Sequence, residues 1–149
     1  MSIKLSAPLI EDFYLEVSES AYGDGTEAPS KVTVRQATQG DHERRSRVFA
    51  EISRVIEEQR DFGMASMQIR QRWSMEELKR VEVFLTLAGC DILDHEGKPL
   101  FSFNNDGKLI DEAVFSRQWS MLPPEVANEI HQKVLKVNYV WAGPEGEGF

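Results

Sequence analysis

Several features on which small proteins commonly depend are missing from this sequence. It has one cysteine, Cys90, so no disulfide can form within the chain, and one lone thiol is typical of a protein in a reducing compartment. No stretch approaches the roughly 18 apolar residues of a transmembrane helix, and the first residues lack the basic and apolar regions of a signal peptide. We therefore expect a cytoplasmic protein with no membrane partner.

The sequence also lacks an excess of basic charge. Its 149 residues include 17 Lys and Arg against 25 Asp and Glu, a net charge of −8. The arginines between positions 44 and 54 stand beside glutamates at spacings that allow pairing on a helix, so they form no separate basic patch. Because nucleic acid repels an acidic surface, we expect no nucleic-acid partner.

The sequence also lacks a recognisable metal-binding, phosphate-binding or catalytic motif. None of His42, His95 and His131 has a second ligand at a metal-binding spacing, and no glycine-rich phosphate loop precedes a helix. We expect solvated surface histidines, a Cys90 that acts as a small buried hydrophobe, and neither metal nor cofactor. Residues 91–96 resemble a calcium loop only superficially, and a hairpin turn explains them better. Carboxylates that meet in space stay possible, but no pair stands out, and we expect no enzyme.

The length fits one domain, whose elements can be traced from hydrophobic patterns. Alternation predicts a strand over 31–35, and a weaker strand over 13–17 could complete a hairpin. Thr38 and Asp41 have the spacing of a capping box, which predicts a helix to about residue 60. Its apolar stripe comprises Val48, Phe49, Ile52, Val55 and Ile56.

The second half of the chain predicts three further helices and two turns. One helix opens at Ser74 and ends at Gly89, where we expect a left-handed cap, and residues 64–73 are ambiguous. Residues 92–93 and 99–103 are predicted to form short strands on either side of a turn at Gly97, and the cluster 104–107 predicts a second turn. A short helix over about 111–119 and a last helix opened by Pro123-Pro124 follow. We find no internal repeat. The predicted inward residues of these helices are Leu78, Val81, Phe84, Leu85, Ala88, Val114 or Phe115, Trp119, Val126, Ala127, Ile130, Val134 and Val137.

Together these elements predict a small, mainly helical α+β domain with one or two β-hairpins and extended termini. Residues 1–30 are expected to form a flexible or extended arm, 31–137 the globular domain, and 138–149 a C-terminal tail. The tail combines aromatic side chains with glycine and glutamate, so it could order on binding and serve as a docking peptide. The partner-binding residues predicted there are Tyr139, Trp141 and Phe149.

Three stretches carry a resemblance to a known class. They are VTVRQAT (32–38) leading into HERRSRVFA (42–50); ELKRVEVFLTL (77–87) with GKPLF (97–101); and Trp119 followed by LPPEVANEIH (122–131). Over about residues 31–141 the chain resembles small tail-module proteins of long-tailed bacteriophages, in particular tail assembly chaperones.

The resemblance implies a non-enzymatic function. Such chaperones bind the tape-measure protein, a long apolar helical chain, and keep it soluble in the host cytoplasm until tube subunits polymerise around it. Other phage tail proteins would then be the partners. The alternative is a permanent structural protein of the virion, a tail or neck component that contacts neighbouring subunits through its termini.

Overall fold

The computed structural model describes residues 2–23, 29–58 and 64–142, with the backbone alone at 56, 58 and 64–74. The predicted α+β class is confirmed. Within the described residues, a three-stranded antiparallel sheet of order β1-β2-β3 packs with five helices. In chain order the elements are β1 (Ile10–Tyr14), α1 (Glu16–Tyr22), β2 (Lys31–Arg35), α2 (Gln39–Glu58), α3 (Met64–Thr86), β3 (Leu87–Cys90), α4 (Glu112–Trp119) and α5 (Pro124–Val137).

Strand β2 is the centre of the sheet. Val32 and Val34 are fully buried on its inner face, as the alternating pattern predicts. The predicted hairpin with the preceding segment exists, since β1 pairs antiparallel with β2 and Phe13 lies opposite Val32. The first strand begins earlier than predicted, at Ile10, and ends at Tyr14. Val17 therefore lies in helix α1, where its side chain is exposed.

The capping box at the start of α2 is confirmed. The Asp41 N–H donates to Thr38 Oγ1 at 3.3 Å, and the Thr38 N–H donates to Asp41 Oδ2 at 3.0 Å. The predicted apolar stripe is only partly buried: Ile52 is inside, but Phe49 is 50% exposed and was wrongly assigned to the core. The predicted stop at 61–63 lies outside the described residues.

The segment around Gly89 differs from the prediction. Helix α3 begins at Met64, ten residues before the predicted start at Ser74, and it ends at Thr86. Gly89 is not a left-handed helix cap, because β3 follows the helix at once and pairs with β2. A Cβ at Gly89 would lie only 3.2 Å from Thr33 Oγ1, so the close approach of the strands explains this glycine.

Residues 92–110 contain a short repeat that the sequence analysis missed. In both DHEGK (94–98) and NNDGK (104–108), the first side chain accepts backbone N–H groups two and four residues later. Gly97 and Gly107 both have positive φ angles, which explains the glycine in each unit. The bridges Leu93–Pro99 and Phe103–Leu109 close the two turns, so both predicted turns are confirmed. The strands predicted at 92–93 and 99–103 were wrong, because these described residues form only isolated bridges. Leu100 and Leu109, one in each turn region, are buried in the core.

Helices α4 and α5 match their predictions closely. Asp111 caps α4 by accepting the Val114 N–H at 3.0 Å, and Phe115 and Trp119 point inward. Phe115 is the centre of an aromatic cluster in which the rings of Phe84, Phe101 and Trp119 lie 5.4 to 5.8 Å from its own. The α5 stripe is buried at Val126, Ile130, Val134 and Val137.

Both predicted termini contain ordered structure. Residues 10–22 of the predicted arm form β1 and α1, and Leu15 between them is buried in the core. In the predicted tail, Tyr139–Trp141 form a turn of 3₁₀ helix directly after α5, and Trp141 is only 6% exposed. Hydrophobic contacts therefore attach both segments to the domain, although residues 2–9 form no helix or strand and are exposed.

Candidate functional site

A buried carboxylate, Glu82, joins three helices. It lies on α3 and is 3% exposed. Arg45 Nε on α2 donates to Glu82 Oε2 at 3.1 Å, and His131 Nε2 on α5 lies 3.0 Å from Glu82 Oε1. Both carboxylate oxygens thus have partners, as a buried charge requires.

This network continues to the C-terminal turn through Arg45. Its Nη2 donates to the Trp141 carbonyl at 3.3 Å, and its guanidinium lies 5.6 Å from the centre of the Trp141 ring. Trp141 Nε1 in turn donates to His42 Nδ1 at 2.9 Å. The arrangement fixes the C-terminal turn against the start of α2.

Two of the three histidines therefore lie in environments that differ from the predicted solvent-exposed one. His131 and His42 are half-buried members of this network, whereas His95 is exposed in a turn as expected. None of the contacts recorded for the network brings a serine, threonine or cysteine next to a histidine, so these contacts provide no activated nucleophile. The geometry stabilises helix packing and gives no evidence for catalysis.

A second buried carboxylate, Glu129 on α5, holds helix α1. It accepts the Ser18 hydroxyl at 2.6 Å, the Ser18 N–H at 2.9 Å and the Val17 N–H at 3.2 Å. Because α1 has no capping side chain of its own, Glu129 caps its N-terminus from another helix. Burial by itself raises the pKa of Glu129, but the three hydrogen bonds outweigh it and the pKa lies below its usual value. The carboxylate form therefore persists at neutral pH.

Cys90 is not a reactive thiol. Burial raises the pKa of the Cys90 thiol to about 12. A backbone hydrogen bond from Ile92 opposes this rise in part, and the negative charge of Asp91 adds to it. The thiolate is the nucleophilic form, and it is scarce at neutral pH with such a pKa. The side chain packs against the core, as predicted.

The described residues hold no group of three or more His, Cys, Asp or Glu side chains that could bind a metal ion. In the segment with a superficial likeness to a calcium loop, Asp94 accepts the N–H groups of Lys98 and Glu96. These bonds lower its pKa, the one to Lys98 most strongly, and they make it a turn-forming residue. A hairpin turn is thus the structure that forms there.

The three predicted partner-binding residues have different outcomes in the structure. Tyr139 is 73% exposed and its ring is accessible. Trp141 points into the domain, because its indole N–H and its ring face both contact α2. Phe149 lies outside the described residues. The exposed neighbour of Tyr139 is Val140, at 60%.

A groove along α2 is a second accessible apolar surface. Its floor comprises Val48, Ile52 and Val55, which share one face of the helix at the spacing i, i+4, i+7. The charged residues Arg44, Arg47, Glu51 and Glu77 form its rim. The groove has a volume of about 500 Å³. We refer to these seven residues as the α2 groove.

Sequence reasoning missed the polar residues that organise the domain, although part of the signal was present. Glu82 lies four residues after Leu78 and three before Leu85, and so shares the apolar face of α3. Glu129 stands between Val126 and Ile130 on the apolar side of α5. An acid inside an apolar stripe indicates a buried, partnered carboxylate. The partners themselves come from distant segments and leave no local signal.

Comparisons with family models, curated proteins and solved structures find no match to this chain. In the part of the chain that the structure describes, the helices are all too short or too polar to cross a lipid bilayer.

Proposed function

We propose that this protein is a non-enzymatic tail assembly chaperone of a long-tailed bacteriophage, and that the α2 groove binds an apolar helical segment of the tape-measure protein. The resemblance of residues 31–141 to such chaperones supports the class of function. One structural observation carries the choice of surface: among the described residues, a groove with the apolar floor Val48, Ile52 and Val55 opens on the surface of a domain whose net charge is −8. Ile52 is 9% exposed, and Val48 and Val55 are partly buried.

The shape of the α2 groove suits a helical client. Val48 to Val55 spans about 10 Å, which is two turns of a partner helix. An amphipathic helix could place two or three apolar side chains on this floor, as in other helix-in-groove complexes. Arg47 has no ion-pair partner among the described residues, so an acidic residue on the client would complete the rim.

The small size of the groove also suits a chaperone, which must release its client. Two helical turns bury much less surface than the 1,200–2,000 Å² or so of stable interfaces, so weak and reversible binding is expected. The negative charge of the rest of the domain keeps complexes apart while the client is held.

Val55→Glu tests the surface. In co-expression with the tape-measure protein, we expect this variant to bind about tenfold more weakly or worse, because a charge would enter a desolvated apolar contact. The yield of complex from a sizing column measures the effect. The matched control is Val140→Glu, which introduces the same charge at an exposed valine outside the α2 groove and should bind as the wild type does.

Thermal denaturation of the unbound variants separates binding from folding. Loss of binding by Val55→Glu with an unchanged melting temperature supports the α2 groove. Full binding by a folded Val55→Glu protein would show that the client binds elsewhere.

A second candidate, a permanent structural protein of the virion, is favoured by the exposed apolar side chains of the extended segment 2–9. Ile3 is 92% and Leu5 is 88% exposed, as expected of residues that contact a neighbouring subunit. Mass spectrometry of purified particles distinguishes the two roles. A stoichiometric amount of this protein in the particle would favour the structural role, and its absence would favour the chaperone.

A further inference from the structure

The outer edge of β1 is open to solvent. Within the described residues, β1 pairs with β2 on one side and with no strand on the other. The Leu9 carbonyl accepts the Gln36 N–H at 2.7 Å, and the Leu15 N–H donates to the Ser30 carbonyl at 2.8 Å. Since bonding alternates along an antiparallel strand, Ile10, Asp12 and Tyr14 direct their N–H and C=O groups outward. An edge of this kind can accept a further strand.

The segment just before β1 has the properties of such a strand. Residues 2–8 make no hydrogen bond to any other described residue. In the sequence Ser2-Ile3-Lys4-Leu5-Ser6, apolar and polar side chains alternate, which places Ile3 and Leu5 on one face and Lys4 on the other. Pro8 ends the segment, because proline cannot donate to a strand ladder.

We propose that residues 2–7 of a second copy of this chain add to the outer edge of β1 as an antiparallel strand. Alternation in β1 places Ile10 and Tyr14 on one face of the sheet and Glu11 on the other. In the antiparallel register that sets Lys4 opposite Glu11, Leu5 lies opposite Ile10, and Ile3 lies opposite Asp12. This register forms one ion pair and one apolar pair across the new edge. A shift by one residue would destroy both pairs at once.

The same chain cannot easily provide this strand to itself. Leu9 is already paired with Gln36, so the chain would have to reverse at Ala7 and Pro8. One type of two-residue hairpin turn needs a positive φ at its first central residue, a conformation that alanine disfavours. The other type needs a positive φ at both central residues, which proline cannot adopt. In the structure the segment does not pair with β1, since residues 2–8 make no hydrogen bond to any other described residue. A second copy therefore fits the edge better, and exchange in both directions gives a closed dimer.

Sedimentation equilibrium of the full chain tests this pairing through a charge swap. The wild type is expected to self-associate. Lys4→Glu and Glu11→Lys, made singly, should each weaken association roughly five- to tenfold per contact, because a cross-strand attraction becomes a repulsion. The double variant Lys4→Glu/Glu11→Lys should restore association. Lys108→Glu changes an exposed lysine outside both β1 and the segment 2–7 and should have no effect.

Two results would overturn the proposal: a wild type that stays monomeric at millimolar concentration, or a double variant that associates no better than the single variants. Ile10→Pro provides a second check, since it removes an outward N–H and leaves the N–H groups that face β2 in place. A folded Ile10→Pro protein that associates as strongly as the wild type would also contradict strand addition.

Discussion

Ile130→Asp should prevent the domain from folding. Ile130 has no solvent exposure and lies at the centre of the buried stripe of α5, within the main hydrophobic cluster. An unpaired carboxylate there, together with the lost apolar contacts, should cost roughly 5 kcal/mol or more. Because the whole free energy of unfolding of such a domain is about 5–15 kcal/mol, this change removes much or all of it. Circular dichroism during thermal denaturation measures the result.

The control for this change lies on the same helix. Gln132→Asp introduces the same side chain at an exposed position of α5 and should alter the free energy of unfolding by less than about 0.5 kcal/mol. A soluble Ile130→Asp protein that unfolds cooperatively near the wild-type temperature would show that the buried face of α5 is wrongly assigned.

Glu82→Ala should destabilise the domain by about 3 kcal/mol without a change at its surface. The side chains of Arg45 and His131 are 21% and 17% exposed, and each would lose its carboxylate partner. The partly buried Arg45 guanidinium would then be held between helices without a counter-charge, although it would keep its bond to the Trp141 carbonyl. Chemical denaturation measures the free energy of unfolding.

Two further variants separate the charge from the shape of Glu82. Glu82→Gln keeps the volume and one acceptor oxygen, so it should cost less than the alanine variant. Glu77→Ala removes an exposed carboxylate from the same helix and should be nearly neutral. Equal stability of the Glu82→Ala and Glu77→Ala proteins would mean that the network contributes nothing to folding.

The helices could be predicted because their signals are local. The capping box at Thr38 and the period of α5 each depend on residues within a few positions of one another, and both predictions are confirmed. Gly97 was predicted as a turn residue from its immediate neighbours, and it has the positive φ that such a turn requires.

The errors arise where distant segments decide the structure. Gly89 has the sequence context of a helix cap, but pairing with β2 makes it a strand residue. Phe49 fits the helical stripe of α2, yet it is half-exposed. Trp141 follows the last predicted helix like the start of a tail, but Arg45 and His42, almost a hundred residues earlier, hold it in the domain. No local pattern contains these contacts.

The candidate surfaces were predicted less well than the fold for the same reason. Exposure of Tyr139 and burial of Trp141 depend on which side chains reach them from α2. The α2 groove depends on the part of a predicted stripe that the other described residues leave accessible. Both properties belong to the assembled domain.

Co-expression with a phage tape-measure protein, the proposed client, tests the central proposal most directly. The tape-measure protein is expected to remain in the soluble fraction and to elute from a sizing column together with this protein. A tape-measure protein that stays insoluble, while this protein elutes alone, would contradict the proposed chaperone function.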